Sequence, residues 1–557
     1  MQRYRSGHNG ADSKSVCEKS HEGSNPSLCA KKTRVGVIPT FLFKENFPMS
    51  KKPPEKYYVK LNKEIYADKV KACWIGKNIG GTMGTPFEGQ RQMQNITGFT
   101  TPPGVVLPND DLDLQLVWLH ALEQCGPANI NANMLGEHWI SYITPHWNEY
   151  GLGKSNLKRG IPAPMSGDYD NDWRNSNGAW IRSEVWATVA PAMPHVAAKY
   201  AMEDAMVDHG AGEGTFAAAF VAALQSAAFV ISDLRKCIEV GLAAIPDESR
   251  MAKSIKFVLE CYDGGMSWSD ARNAVQQLNA DIGNGWFEAP SNVTYAAIGL
   301  LWGEGNFKKS MTTAINCGDD TDCTGATVGA TMGILYGMAG IPDDWRQYIG
   351  DDIITISLAR GNNGKNLPTS CTELTERIVK MAPVVLTHNS VKHTEFTPDG
   401  AYTDYDVELS DKDEFPGDIH EKLVKFVSSK IKPVATNLLP NSIYEENVFM
   451  RVQVALDRDP EIAPGEEMGL TVFFNSKCCF EDEPRNVRMR WLLPEGFTAS
   501  GRQTLMVHGF NPHSCGQAST RFTVRAGERV EAMNRLVLEI VTEGRCTPMY
   551  ICVPLLG

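Results

Sequence analysis

The sequence predicts two domains of different class: an all-helical domain over residues 49–385, then an all-β sandwich over residues 446–557. Three observations predict this. A chain of 557 residues is too long for one ordinary domain. Up to about residue 385 the apolar residues recur at helical spacing, with almost no strand-like alternation. After Asn447 the period shortens to two, in short runs around residues 448–454, 469–474, 488–496, 520–524 and 536–541. Between the domains, residues 386–445 mix polar, Pro and Lys-rich pieces and read as a linker or extension.

Residues 1–48 resemble neither domain. They are polar, lack a helical period and contain no secretory core. Gly23-Ser24-Asn25-Pro26 is what a reading frame through a tRNA T-arm would encode. The segment is expected to be a non-native or disordered extension, with translation starting at Met49.

A first helix is expected from about Ile65, with Val70, Cys73 and Trp74 on its buried face. It leads into Gly80-Gly81-Thr82-Met83-Gly84-Thr85-Pro86-Phe87-Glu88, read as a glycine-rich stretch ending in a loop that carries Glu88. A plain helix stop with a surface Glu would need the same residues. Next comes Pro108-Asn109-Asp110-Asp111-Leu112-Asp113. Asn109 suits an N-cap, and Leu112, Leu116, Leu119 and Leu122 form a helical face behind it. Capping accounts for one or two of these carboxylates, not three.

Residues 144–182 read as a long irregular connection rich in Gly, Pro, Asn and aromatic residues. Trp147, Tyr150, Tyr169 and Trp173 suggest an ordered, ligand-facing loop, with an Ω-like surface loop as the alternative. Helices resume at about Ile181, break at Pro191 and Pro194, and continue from Thr215 and around 233–243, 248–262 and 269–280.

The densest signal lies at Asn316 to Gly325, where Asp319, Asp320 and Asp322 fall within four residues ahead of an uncharged helix. Carboxylates this close repel one another unless a cation sits among them. The plainer reading is an acidic helix start favoured by the macrodipole. Two such clusters, far apart in sequence and each opening a helix, point to one shared site for a hard divalent cation. Behind the second cluster Gly325, Gly329, Gly333 and Gly337 recur every fourth residue, a stripe that lets another backbone come close.

The net charge of −12 disfavours nucleic acid and anionic membrane as partners. The 14 cysteines show no zinc-like or disulfide-scaffold spacing, so reduced thiols in a cytoplasm are expected. The apolar stretches Thr215 to Ile231 and Cys323 to Ile341 are read as buried core helices. Gln225 and Ser226 interrupt the first, and the second has acidic flanks and no basic side.

Taken in order, the three motif clusters resemble the ADP-ribosylglycohydrolase family, a metal-dependent helical fold. The family's GDxxGxxxE-like, [ST]DDT and GGDTDT elements appear here as Gly80 to Glu88, Asn109 to Leu112, and Gly318 to Cys323. The resemblance covers about residues 65–345. It implies an all-helical catalytic domain with metal ligation by Asn109, Asp110, Asp111, Asp320 and Asp322. It also implies Glu88, Asp110 and Asp320 as catalytic residues, and Asn177, Gly178, Arg182 and His209 as substrate-binding residues. The implied cofactor is Mg²⁺, two ions, with Mn²⁺ the alternative.

This chain departs from the pattern in four places. Gly81 replaces the family Asp, Asn109 a Ser or Thr, Leu112 a Thr, and Cys323 the last Thr. A thiol is a poor Mg²⁺ ligand, so position 323 either does not bind or accepts a softer ion. The expected function is metal-dependent hydrolysis of an N- or O-glycosidic bond at a ribosyl-type anomeric centre, in a small-molecule or glycosylated substrate. The Ig-like sandwich and the departures support a glycan- or furanoside-directed alternative. A third reading is a binding protein with a degenerate site.

Overall fold

The computed structural model describes residues 56–358, 366–391, 404–476, 485–507 and 517–557. The expectation for residues 1–48 lies outside the described residues, as do parts of 386–445. Helices dominate from Lys63 to Asn389, and antiparallel sheets dominate from Ser442 to the end.

The helical core is built on one close crossing. The opening helix, Lys63–Gly84, packs along the helix Thr321–Tyr336. A Cβ added at Gly80 would lie 2.1 Å from the Gly325 carbonyl oxygen, and one added at Gly76 would lie 2.1 Å from that of Gly329. The glycine stripe therefore faces a second stripe, Gly76, Gly80 and Gly84, and the two backbones touch. Gly337 is not part of the packed stripe. It ends the helix at φ +67°, a left-handed conformation that costs Gly little. The crossing fixes both helix ends, since the Thr321 hydroxyl donates to the Gly84 carbonyl at 2.8 Å. Gly80 to Gly84 are thus the last helical turn, and only Thr85–Phe87 and Glu88 leave it.

The segment 144–182 is less irregular than its composition suggests. It contains the helix Asn148–Arg159 and two short turns, Met165–Asp168 and Trp180–Arg182. Glycine and asparagine make the helix intrinsically weak. Packing compensates: Gly151 fits against the His146 backbone and Gly153 against Asp208.

The described residues 404–445 pack onto the helical part. β1 (Lys56–Asn62) pairs in parallel with β2 (Asp404–Ser410), in register from Lys56 with Asp404 to Asn62 with Ser410. Tyr57 stacks on Tyr405 at 4.2 Å, and Phe426 meets both rings edge-on. Phe426 belongs to the helix Ile419–Lys430, whose Leu423 and Val427 join the helical core. Tyr405 and Val407 of β2 are buried in this core, and Asp404 is buried with them.

The sandwich is β3 (Ser442–Glu446), β4 (Met450–Leu456), β5 (Glu467–Ser476), β6 (Arg485–Leu492), β7 (Thr498–Gly501), β8 (Thr504–Val507), β9 (Gln517–Arg525), β10 (Met533–Thr542) and β11 (Met549–Leu556). One antiparallel sheet runs β3-β4-β5-β9-β7 and the other β11-β10-β6-β8. Alternation gives each strand one core face, as in β4, where Val452 and Val454 are buried.

The sandwich and the helical part share side chains. Ile161, Met165 and Tyr169 sit in the sandwich core. Arg451 of β4 pairs with the buried Glu203 at 2.8 Å and with Glu446 at 3.1 Å, and the Tyr444 hydroxyl bonds to Glu203. Among the described residues no helix is long and apolar enough to cross a membrane.

Candidate active site

Two helix starts and one helix end meet at a cleft of about 550 Å³. The helix Asp110–Cys125 brings Asp110 and Asp111. The helix Thr321–Tyr336 brings Asp320 as its N-cap, then Asp322 and Cys323. The end of the opening helix brings Glu88 to the mouth.

The oxygens gather tightly. Glu88, Asp320 and Asp322 each offer an atom within 4.8 Å of the others, and so do Asp111, Asp322 and Cys323. Asp322 belongs to both groups. Both Asp111 carboxylate oxygens, Asp320 Oδ1 and Asp322 Oδ1 are buried without a hydrogen-bond partner. Orphaned buried carboxylate oxygens are rare unless something charged meets them. Hard oxygen donors in this number fit Mg²⁺ or Mn²⁺, so the residues present suit the cation the sequence suggests.

Burial and mutual repulsion push these acids upward. Glu88 rises to about 8, from burial first and then from Asp320 and Asp110. Burial takes Asp320 to about 6 and raises Asp110, Asp111 and Asp322 as well. One fixed cation lies behind the cluster. Lys77 is fully buried 3.2 Å from Glu184, and although burial opposes its charge, Glu184 and Asp111 hold it above its ordinary value.

A pH dependence follows. A carboxyl whose folded value is raised stabilises the fold fully below its unfolded value and loses that contribution as pH rises through the folded value. Without a divalent ion, stability should fall from about pH 4.5 to about pH 8. An ion that binds the ionised carboxylates should stabilise more as pH rises. Thermal unfolding with and without Mg²⁺ should show an increment larger at about pH 8 than at about pH 5.

The remaining sequence candidates separate by position. Asn109 caps its helix: its Oδ1 accepts from the Asp111 N–H at 2.7 Å. Its amide fills the space over Gly81, where an added Cβ would lie 1.8 Å from Asn109 Nδ2. Gly81 and Asn109, two of the departures from the family pattern, therefore lie against each other. Asp113 supports the structure, accepting from Ile356 N–H at 2.6 Å and from Ser357 N–H. Asp319 does likewise: its backbone is left-handed at φ +68°, and its carboxylate accepts from Phe287 N–H and Asn292.

Asn177 and Gly178 line the cleft, and Asn177 Nδ2 donates to Asp320 Oδ2 at 2.6 Å. Arg182 and His209 do not line it. Both are fully buried behind the wall. Arg182 donates to Asp204 at 2.9 Å, to Asp208 at 2.7 Å and to the Gly178 carbonyl, so its donors are spent on the protein. His209 Nδ1 meets Asp208 Oδ1 at 2.8 Å. Burial opposes Asp208's charge, but Arg182 and His209 hold its carboxyl below the ordinary value.

Sequence reasoning named the loop that carries Glu149 and Tyr150 without naming Glu149. Both line the cleft, with Ser176, His146 and Trp147. Across the rim, Phe287 stacks on Trp286 at 4.4 Å, and Arg91 lies over Trp286 at 5.0 Å. The aromatic count was the available signal. The carboxylate carried no motif.

A family model described as ADP-ribosylglycohydrolase matches residues 62–378. A 50-residue stretch is 40% identical to the ADP-ribosylarginine hydrolase Tri1 of Pseudomonas putida strain GB-1, covering 9% of this chain and 14% of that relative's length. Among solved structures, an "ADP-ribosylglycohydrolase-related protein complex" covers 58% of this chain and 98% of its own, at 19% identity and TM-score 0.37. A FixG-related protein from Vibrio parahaemolyticus covers 21% of this chain and 98% of its own, at 10% identity and TM-score 0.16.

The acid-lined cleft lies in a helical part that is followed by antiparallel β-sheets. The chain belongs to the ADP-ribosylglycohydrolase family.

Proposed function

We propose that this chain is a divalent-cation-dependent glycosidase that cleaves an N- or O-glycosidic bond at a ribosyl-type anomeric carbon. The observation that carries it is the set of buried, unpartnered oxygens on Asp111, Asp320 and Asp322 beside Glu88. Asp110, Asp111, Asp320 and Asp322 would hold the cation, Mg²⁺ first and Mn²⁺ as the alternative given Cys323. When bound, the ion neutralises the cluster and polarises oxygen ligands. Asn177 fixes the Asp320 carboxylate, and Lys77 balances charge behind Asp111. Glu88, at the mouth, is placed to accept a proton from an attacking water. A cytoplasmic setting is part of the proposal, supported by nine described cysteines that are all free thiols.

A second reading keeps the chemistry and changes the substrate to a glycan or other furanoside. The cleft aromatics Trp147 and Phe287, the latter backed by Trp286, favour it, since flat rings suit sugar faces as well as bases. ADP-ribosyl-arginine peptides and aryl ribofuranosides should be assayed with Mg²⁺ and with chelator. Cleavage of either one, lost on chelation and restored by Mg²⁺, is the expected result. No cleavage of either, with no divalent binding by calorimetry, would leave the binding-protein reading standing.

A further inference from the structure

We propose that Glu149 is the proton donor of this site, delivering its carboxyl proton to the leaving group while Glu88 serves the water. The inference rests on the hydrolase reading above and deepens it. Glu149 is 6% exposed yet lines the same cleft as Glu88, Asp110, Asp320 and Asp322. Its Oε2 is buried and has no hydrogen-bond partner. A buried carboxyl oxygen left open beside a cleft is costly unless a ligand completes it.

The surroundings hold this side chain in place. Gly178 makes room for it, since a Cβ there would lie 2.2 Å from Glu149 Oε1. The neighbouring residue, Asn177, is tied to Asp320, so one dipeptide joins the carboxylate cluster to Glu149. Behind the wall, Arg182 holds Asp208, Asp208 holds His209, and the His209 ring stands 3.5 Å from the Ser176 hydroxyl. Burial raises the Glu149 carboxyl above its ordinary value. His209 and Ser176 pull it back, and Asp208 adds to the rise. Glu288, also buried nearby, is itself raised to about 7. A buried carboxyl with an open oxygen, set apart from an acidic cluster in the same cleft, is the arrangement that divides acid from base roles.

The step balances as follows. The bond from the anomeric carbon to the leaving atom breaks, and its electron pair goes to that atom. The Glu149 proton moves to the same atom, leaving a carboxylate. Water adds to the anomeric carbon and passes its proton to Glu88, and solvent returns a proton from Glu88 to Glu149. One water is consumed for each bond cleaved.

The test compares Glu149→Gln with wild type on 4-nitrophenyl and phenyl ribofuranosides in Mg²⁺, with Mg²⁺ binding followed by calorimetry. The 4-nitrophenolate leaves without help, whereas phenolate needs the proton. The variant should keep 4-nitrophenyl kcat/KM within about tenfold and lose about 10²–10⁴-fold on phenyl. Its Mg²⁺ affinity should be unchanged. Equal losses on both substrates, no loss on either, or lost Mg²⁺ binding would overturn the assignment. A wild type that cleaves neither the aryl ribofuranosides nor ADP-ribosyl-arginine peptides instead defeats the ribosyl-hydrolase reading, and the role of Glu149 with it; where only the peptides are cleaved, an undiminished rate on them in Glu149→Gln overturns the assignment.

Discussion

Asp322→Asn should abolish hydrolysis and, in the absence of divalent ions, make the protein more stable. The two effects share one cause. Asp322 supplies an oxygen to both carboxylate groups, and burial and then its neighbours Asp320, Glu88 and Asp111 push its carboxyl well up. Removing its charge relieves that repulsion, so the metal-free melting temperature should rise. The same change removes the only carboxylate common to both groups, so Mg²⁺ should no longer raise the melting temperature. Activity should fall by about 10³-fold or more, in line with the loss of a principal electrostatic group. Paired thermal unfolding with and without Mg²⁺ checks the first claim, and initial rates check the second. A variant that keeps both its Mg²⁺ response and its activity would remove Asp322 from the centre.

Gly80→Ala should be the most damaging conservative change in the helical part. Its methyl would sit 2.1 Å from the Gly325 carbonyl oxygen and 2.5 Å from the Ala326 nitrogen. Both are backbone atoms, so no rotamer change relieves the clash, and the two helices must part. The cost should be about 3 kcal/mol. Activity should fall too, because the separated helices carry Glu88 and Asp320 at their ends. Gly98→Ala is the control. A Cβ there meets nothing within 4 Å, and its unfolding midpoint should stay near wild type. Chemical denaturation of both variants distinguishes the outcomes.

What was legible in the chain follows from range. The acidic clusters were legible because each is local: an N-cap, two or three carboxylates, and a helix behind. The glycine stripe was legible for the same reason, and it foretold a close partner without naming the opening helix. Five strand runs, such as that at Gly469 to Phe474, were visible because alternation needs only one strand. Contacts between distant segments were not visible. Lys77 and Glu184 form a buried pair from helices more than a hundred residues apart, and neither has a local pattern. Arg182 and His209 were placed at the substrate by motif position, yet their partners Asp204 and Asp208 draw them behind the wall. The helix Asn148–Arg159 was hidden by its own weak propensity, and Glu149 with it. β1 and β2 are seven-residue strands whose partners lie on the far side of the helical domain's sequence, so no local window reveals either.

That last pairing bears on how the protein is made. β1 leaves the ribosome before its partner, and Tyr58 finds Asp404 only after 346 further residues. At about 5–20 residues per second, β1 waits roughly 20–70 s for its partner. During that interval Tyr57, Val59 and Leu61 have no β2 against which to bury. The catalytic half of the chain therefore cannot close as synthesis proceeds. Its final strand pairing awaits translation of the segment just ahead of the sandwich. Such a nascent chain is a natural client for chaperones that shield an exposed strand.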